Sequence, residues 1–110
     1  MFRATGEALR YDSPVKSLQP LAMADVEIRG KHIKKDDRIH WIISSANRDP
    51  EKFENAGVMD ITRLPDAHVA FGAGIHHCLG ATLARVEGQG VFRALAEQYP
   101  NLELKNLEME

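Results

Sequence analysis

Ten consecutive residues constrain this chain more than any others: Phe71-Gly72-Ala73-Gly74-Ile75-His76-His77-Cys78-Leu79-Gly80. Two glycines precede the only cysteine, one follows it, and an apolar stripe begins directly behind. Glycine permits positive φ and lets backbone pass close to a flat partner. Leu79, Leu83 and Val86 recur at helical spacing, with Gly90 and Ala94 continuing the stripe, which predicts a helix from about Cys78 to Gln98. A cysteine at the start of such a helix faces free N–H groups and the positive end of the dipole. Both favour thiolate over thiol, and N–H groups aimed at a sulfur tune its donation to iron. The spacing describes a nest for a deprotonated sulfur. The plain alternative is a small buried hydrophobe, the common fate of a lone cysteine. A zinc site built from His76, His77 and Cys78 is disfavoured. Adjacent side chains seldom converge on one ion, and no second ligand pair with zinc spacing is present.

The remaining totals serve mainly to exclude. One cysteine cannot form an intramolecular disulfide, and a reducing, cytoplasmic setting is the simple reading. A net charge of -2 lacks the basic excess of a nucleic-acid binder. No apolar run approaches the roughly 20 residues a membrane span needs, and residues 1–7 lack the apolar core of a leader peptide. At 110 residues the chain reads as one small domain or part of a larger one.

Along the chain, Arg3 to Tyr11 reads as a helix, ended by Ser13-Pro14 because the residue before proline leaves the helical region. Its short lead suggests the tail of a longer element. Asp25 to Arg29 alternates like a half-buried strand, Gly30 turns it, and Lys31 to Lys34 returns. Arg38 to Ile43 is a third strand candidate with Trp41 as core, and Ser44 to Pro50 a helical turn and loop. Pro50 to Phe71 shows no sustained period, and irregular stretches of that length are usually functional or disordered. Gly88 and Gly90 weaken the last helix or mark a close approach by another element. Pro100 stops it, and Leu102-Glu103-Leu104 suggests a short final strand.

The decapeptide resembles the haem-binding loop of cytochromes P-450, Phe-x-x-Gly-x-Arg/His-x-Cys-x-Gly, with Phe71, Gly74, His76, Cys78 and Gly80 at the matching positions. The following Ala81 to Glu87 looks like the start of the family's helix L. Glu7-Ala8-Leu9-Arg10 fits the Glu-x-x-Arg motif of helix K, an i, i+3 pair sharing one helix face. Ser45-Ala46-Asn47-Arg48-Asp49-Pro50 resembles the bacterial form of the region before the family's meander, and the irregular stretch behind it resembles the meander. The resemblance covers nearly the whole chain in the family's order. It implies a mainly α fold with small β-sheets (α+β), with residues 1–110 as a single C-terminal fragment of a cytochrome P-450 domain.

By the resemblance, Cys78 is the proximal thiolate ligand of the iron in haem b (iron protoporphyrin IX), donating electrons that help cleave O–O on the opposite face. His76 meets a propionate, Phe71 packs near the sulfur, and Gly72, Gly74 and Gly80 let the loop pass under the ring. Glu7 and Arg10 are structural and engage an arginine from the meander region, with Arg48 the first candidate and Arg63 the second. Val15 to Gln19 matches a segment reaching the substrate pocket. His77 reads as a loop residue, and His32, His40 and His68 as surface or strand residues. Lys52 and Arg85 lie near where redox partners dock, but read more simply as solvated charges.

The chain also departs from the family. Helix I, helix C and most of the substrate pocket lie outside its resemblance. The arginine usual near Gln19-Pro20 is absent, the Lys-x-Gly-Asp turn reads Lys34-Lys35-Asp36-Asp37, and the usual Pro-Asp-x-Phe-Asp appears as Ala56 to Asp60. Without those partners Leu79, Leu83, Val86 and Leu95 would present an apolar patch to water, so marginal stability or oligomerisation is expected. Three functions follow as expectations. The first is a haem-thiolate monooxygenase acting on a small organic substrate, fed by a redox partner such as a ferredoxin or flavin reductase. The second is a truncated haem-binding remnant without turnover. The third is an interaction module that pairs with a missing N-terminal half.

Overall fold

The computed structural model describes residues 1–64 and 68–103. Helix α1 spans Phe2–Tyr11 and buries Thr5, Gly6, Glu7 and Arg10 along one face. It stops where the sequence predicts. The Asp12 N–H closes on the Ala8 carbonyl, the Ser13 hydroxyl donates to the Leu9 carbonyl at 3.0 Å, and Pro14 prevents continuation.

Two small antiparallel sheets follow. Strands β1 (Ser17–Leu18) and β4 (Trp41–Ile42) pair, with Leu18 opposite Trp41. Strands β2 (Val26–Ile28) and β3 (Lys31–Ile33) form a hairpin. Its two turn residues, Arg29 and Gly30, both hold positive φ, 50° and 75°, as the twist of a two-residue hairpin demands. Asp36 stands where the family's turn has glycine and takes φ 70°, which explains the usual glycine; aspartate is one of the few residues that tolerates this region.

Three expected boundaries need correction. The strand predicted over Arg38 to Ile43 is regular only at Trp41–Ile42. Pro20 on the neighbouring segment has no N–H to donate, so pairing toward Arg38 survives as the isolated Leu21–Arg38 bridge, with the Ile39 N–H on the Pro20 carbonyl and the Ala22 N–H on the Asp37 carbonyl. Ile43 instead turns inward, buried, as the first residue of helix α2 (Ile43–Ala46). The last helix, α3, is Ala81–Gln98 and begins three residues after Cys78, because Cys78 to Gly80 form a turn whose Cys78 carbonyl accepts the Ala81 N–H. Leu102 and Glu103 form no strand, and Leu104 lies outside the described residues.

Residues 49–64 contain no helix or strand and run as successive turns. Helices α1 and α3 pack together, and Gly88 marks the contact: a Cβ there would stand 2.9 Å from the Thr5 Cγ2. Gly90 has no neighbour within 4 Å and marks no approach.

The apolar interior is small, made of Ala22, Ile43, Phe53, Ala56, Ala70 and Ala81. Beside it, Thr5, Glu7, Arg10, Ser13 and Asn47 are buried. The surface totals 9118 Å², against about 6100 Å² for a compact monomer of this mass. The radius of gyration is 17.1 Å, where a compact domain of this length has about 13 Å. Large apolar side chains stand in that exposed surface: Ile75, Leu79, Leu83, Val86, Val91 and Leu95 all face water, as the sequence predicts for the four named there.

Candidate functional site

The decapeptide folds into a loop held by its own backbone. The Cys78 N–H donates to the Phe71 carbonyl at 2.9 Å, the His77 N–H to Gly74 at 3.1 Å, and the Gly72 N–H to Val69 at 2.9 Å. Gly72 and Gly74 hold φ of 72° and 64°, a region that side-chain-bearing residues avoid, and a one-turn 3-10 helix spans Gly74–His76. Gly80 caps α3; a Cβ there would stand 3.8 Å from the Cys78 Sγ, so glycine keeps one side of the sulfur clear.

Cys78 is exposed, which rules out the buried-hydrophobe reading. His76 is exposed and His77 lies with Nδ1 3.4 Å from the Gly72 carbonyl. Phe71 is half-buried at the centre of a cluster. The His77 ring meets it edge-on at 6.4 Å, the His68 ring is tilted at 6.1 Å, and the Arg85 guanidinium lies 4.8 Å from its centroid. Arg85 is therefore a half-buried packing partner rather than a freely solvated charge. His68 is half-buried, and burial first, then the nearby Arg85 charge, pushes its imidazole below the usual range, toward the neutral form.

Two open clefts adjoin this loop. One, about 340 Å³, is lined by Val15, Leu18, Phe71, His76 and Cys78 among others. The second, about 470 Å³, is walled by Leu18, Trp41, Ile42, Val69, Ala73 and His76, and is almost wholly apolar. They share Leu18, Ile43, Gly72 and His76, so one continuous apolar surface runs from the sulfur to the β1–β4 pair. Trp41 is not core: it is 52% exposed on the wall of that surface, because its strand partner Leu18 leaves no layer above it.

Behind the loop lies a buried polar network. Arg10 uses all five of its N–H donors: two to the Glu7 carboxylate at 2.8 and 2.7 Å, and one each to the carbonyls of Asn47, Ala56 and Val58. Glu7 also accepts the Asp60 N–H at 2.9 Å. Burial alone would raise the Glu7 carboxyl, but the Arg10 hydrogen bonds, the Asp60 N–H and the charges of Arg10 and Arg63 together hold it below its ordinary range. The Glu7 bond in turn raises Arg10 further, against its burial.

The meander arginine beside this pair is Arg63, not Arg48. Its Nε stands 3.3 Å from the Glu7 carboxylate, close enough for charge attraction though not aligned as a hydrogen bond. Arg48 faces outward, donates twice to the Tyr11 carbonyl and stacks 4.2 Å over the Tyr11 ring, because α2 ends with Asn47, its immediate neighbour, turned inward. Asn47 is the residue that sequence reasoning missed. Its amide donates to the Ser13 hydroxyl at 2.7 Å and its carbonyl oxygen Oδ1 accepts the Val69 N–H at 2.7 Å, tying α1 to the strand of chain that enters the loop. Its polar surroundings, Ser44, Ser45, Arg48 and Asp49, signal a loop; only the fold shows it buried.

The pattern of the family described as Cytochrome P450 matches residues 4–100. The chain belongs to the cytochrome P450 family. The polyketide biosynthesis cytochrome P450 PksS of Bacillus subtilis is 48% identical over 102 residues, covering 92% of this chain and 25% of its own length. The biotin biosynthesis cytochrome P450 of the same organism is 41% identical over 105 residues, covering 96% and 27%. Among solved structures, that of PksS superposes with a TM-score of 0.85 at 47% identity, covering 94% of this chain and 27% of that one. A complex of P450BioI with an acyl carrier protein ligated to hexadec-9Z-enoic acid reaches a TM-score of 0.89 at 38% identity, covering 99% and 29%. The chain spans about a quarter of the length of these cytochrome P450 relatives. The mixed helix and small-sheet architecture is that of the matching part of P450 structures.

Membership of this family implies haem. The residues present fit such a group: a lone exposed thiol, two positive-φ glycines that keep backbone low, and a nearly unbroken apolar surface with one imidazole, His76, at its edge. Among the described residues no helix is long and apolar enough to cross a membrane.

Proposed function

We propose that this chain is the haem-ligating part of a cytochrome P450 monooxygenase, with Cys78 as the thiolate that would hold the iron. The single observation that carries the reading is the exposed sulfur at the end of the apolar surface, with its own amide tied to Phe71 and a glycine keeping one side clear. Haem b bound there would supply oxygen activation and insertion of one oxygen atom into an organic substrate.

The chain's own residues have the following parts. Cys78 would hold the iron. His76, at the edge shared by both clefts, would be placed to donate to a propionate. Gly72, Gly74 and Gly80 keep the loop free of side chains that would stand between backbone and ring. Phe71 packs the inner side of the loop. Leu18, Trp41 and Ile42 exclude water along the apolar wall. Glu7, Arg10 and Arg63 hold the segments behind the loop and touch no reacting atom.

Substrate and redox partner follow at class level: a small organic molecule, and a ferredoxin or flavin reductase in the same cytoplasmic compartment. Exposed Ile75, Leu79 and Leu83 favour a second element of the reading. They are covered in the active protein by the part of the P450 domain that carries the opposite face of the haem; the described residues by themselves bind haem without turnover.

The test is a haemin titration of the purified chain, followed by reduction and carbon monoxide. The expected result is the red-shifted Soret band of thiolate ligation, lost in Cys78→Ala. Equal binding and an equal spectrum in Cys78→Ala would overturn the assignment.

A further inference from the structure

Arg85 stands on the second turn of α3 with its guanidinium over the Phe71 ring, and neither the loop pattern nor the polar network accounts for it. Phe71 holds the loop twice. Its carbonyl accepts the Cys78 N–H at 2.9 Å, and its ring is enclosed by Arg85 on one face and by the His77 and His68 rings around it. Cys78 is joined to α3 through the short turn of Leu79 and Gly80, closed by its own carbonyl accepting the Ala81 N–H at 3.2 Å, and Leu79 is fully exposed, so no side chain of that turn fastens the cysteine. A contact from α3 back to Phe71 closes the ring: helix, arginine, phenylalanine, cysteine amide, helix.

We propose that Arg85 is a positioning residue that fixes Cys78 through the Phe71 ring. The guanidinium suits this task because it is flat and permanently charged, and it stacks on an aromatic face while its long stem packs along the helix. Phe71 is half-buried, so the stack is partly shielded from water, where such contacts are strongest. His68 faces the same ring. With burial and the Arg85 charge disfavouring its protonation, it adds no competing cation to the cluster. The charged groups acting on His68 are Arg85, Arg10, Glu7 and His77, and no acidic side chain is hydrogen-bonded to Arg85 among the described residues to draw it away.

The proposal concerns the same site as the function above but does not depend on haem, and its test needs none. Hydrogen exchange of the Cys78 amide reads the bond to Phe71 directly. In the whole chain, Arg85→Leu is expected to speed that exchange by about threefold to tenfold, the range a partly shielded cation–π contact supports. The Asn47 amide, which is bonded to Ile43 within α2, should keep its rate. Arg85→Lys, which keeps charge but loses the flat stack, should recover part of the protection. In a Phe71→Leu background, Arg85→Leu should have no further effect. An unchanged Cys78 rate in Arg85→Leu, an equal change at Asn47, or the same increment with Phe71 already replaced would each overturn the proposal, as would a Cys78 amide unprotected in the unaltered chain. Should Arg85→Leu fail to fold, Arg85→Gln gives the same reading without an added apolar side chain. Loss of haem binding with normal exchange behaviour would count against the proposed function and leave Arg85's role standing.

Discussion

Around Arg10, the buried polar side chains are paired within the chain, Arg63 Nε by charge alone; around Cys78, large apolar side chains remain in water. The first region joins α1, the end of α2, the irregular residues 49–64 and the entry to the loop through side chains almost fully buried. The second is a backbone-held loop and a helix whose outer face, from Ile75 to Leu95, lacks a covering layer. Both lie in a short chain, yet one is finished and the other is not. A guanidinium satisfies its five donors with local carbonyls and one carboxylate, so a few segments suffice. Burying six large apolar side chains needs an opposing surface, and no described element supplies one.

The contrast can be broken most sharply at Arg10. Arg10→Ala leaves three carbonyls without this donor in the interior and the Glu7 carboxylate with only the Asp60 N–H and the Arg63 charge, and should cost about 3–5 kcal/mol, enough to unfold a domain this small. Urea unfolding followed by circular dichroism measures it; a loss under about 1 kcal/mol would mean the network is not what holds the irregular segment in place.

Acid should act on the same region with a smaller effect. Glu7 has its carboxyl held below the ordinary value of 4.5, so its contribution is fully present above that pH and is lost as pH falls through the lower, folded-state value. Stability should therefore decline below about pH 4.5, and Glu7→Gln, already less stable at neutral pH, should show a shallower decline. Parallel slopes in the two proteins would assign the acid response elsewhere.

The smallest effect is expected in the open region. Leu79→Ser removes a large apolar group that touches nothing, so stability should change by less than about 0.5 kcal/mol and self-association should fall. Sedimentation and urea unfolding read both. A loss comparable to that of Arg10→Ala would show that Leu79 is covered in solution and would erase the contrast.

Much of this arrangement was legible residue by residue. Glycine at 72 and 74 announced positive φ, Pro14 and Pro100 announced helix ends, and Glu7 with Arg10 announced an acid–base pair on one helix face. Asn47, Arg63 and Arg85 were not legible in the same way. Each works through a partner distant in sequence: Asn47 through Ser13 and Val69, Arg63 through Glu7, and Arg85 through Phe71. Nothing in local spacing separates Arg48 from Arg63 as the one that approaches Glu7, because one arginine precedes the irregular stretch, the other lies within it, and neither has a periodic neighbour to orient it.

By itself the sequence determined the local conformations and the chemical kind of the site. Backbone restrictions of glycine and proline, helical periodicity and one thiol in its loop act over a few residues, and such effects need no fold to be read. Tertiary structure alone decided which polar groups are buried together, that Trp41 lines a cleft instead of filling a core, and that Arg85 rests on Phe71. Burial and charge pairing depend on distances between segments tens of residues apart, and only the folded chain sets those distances.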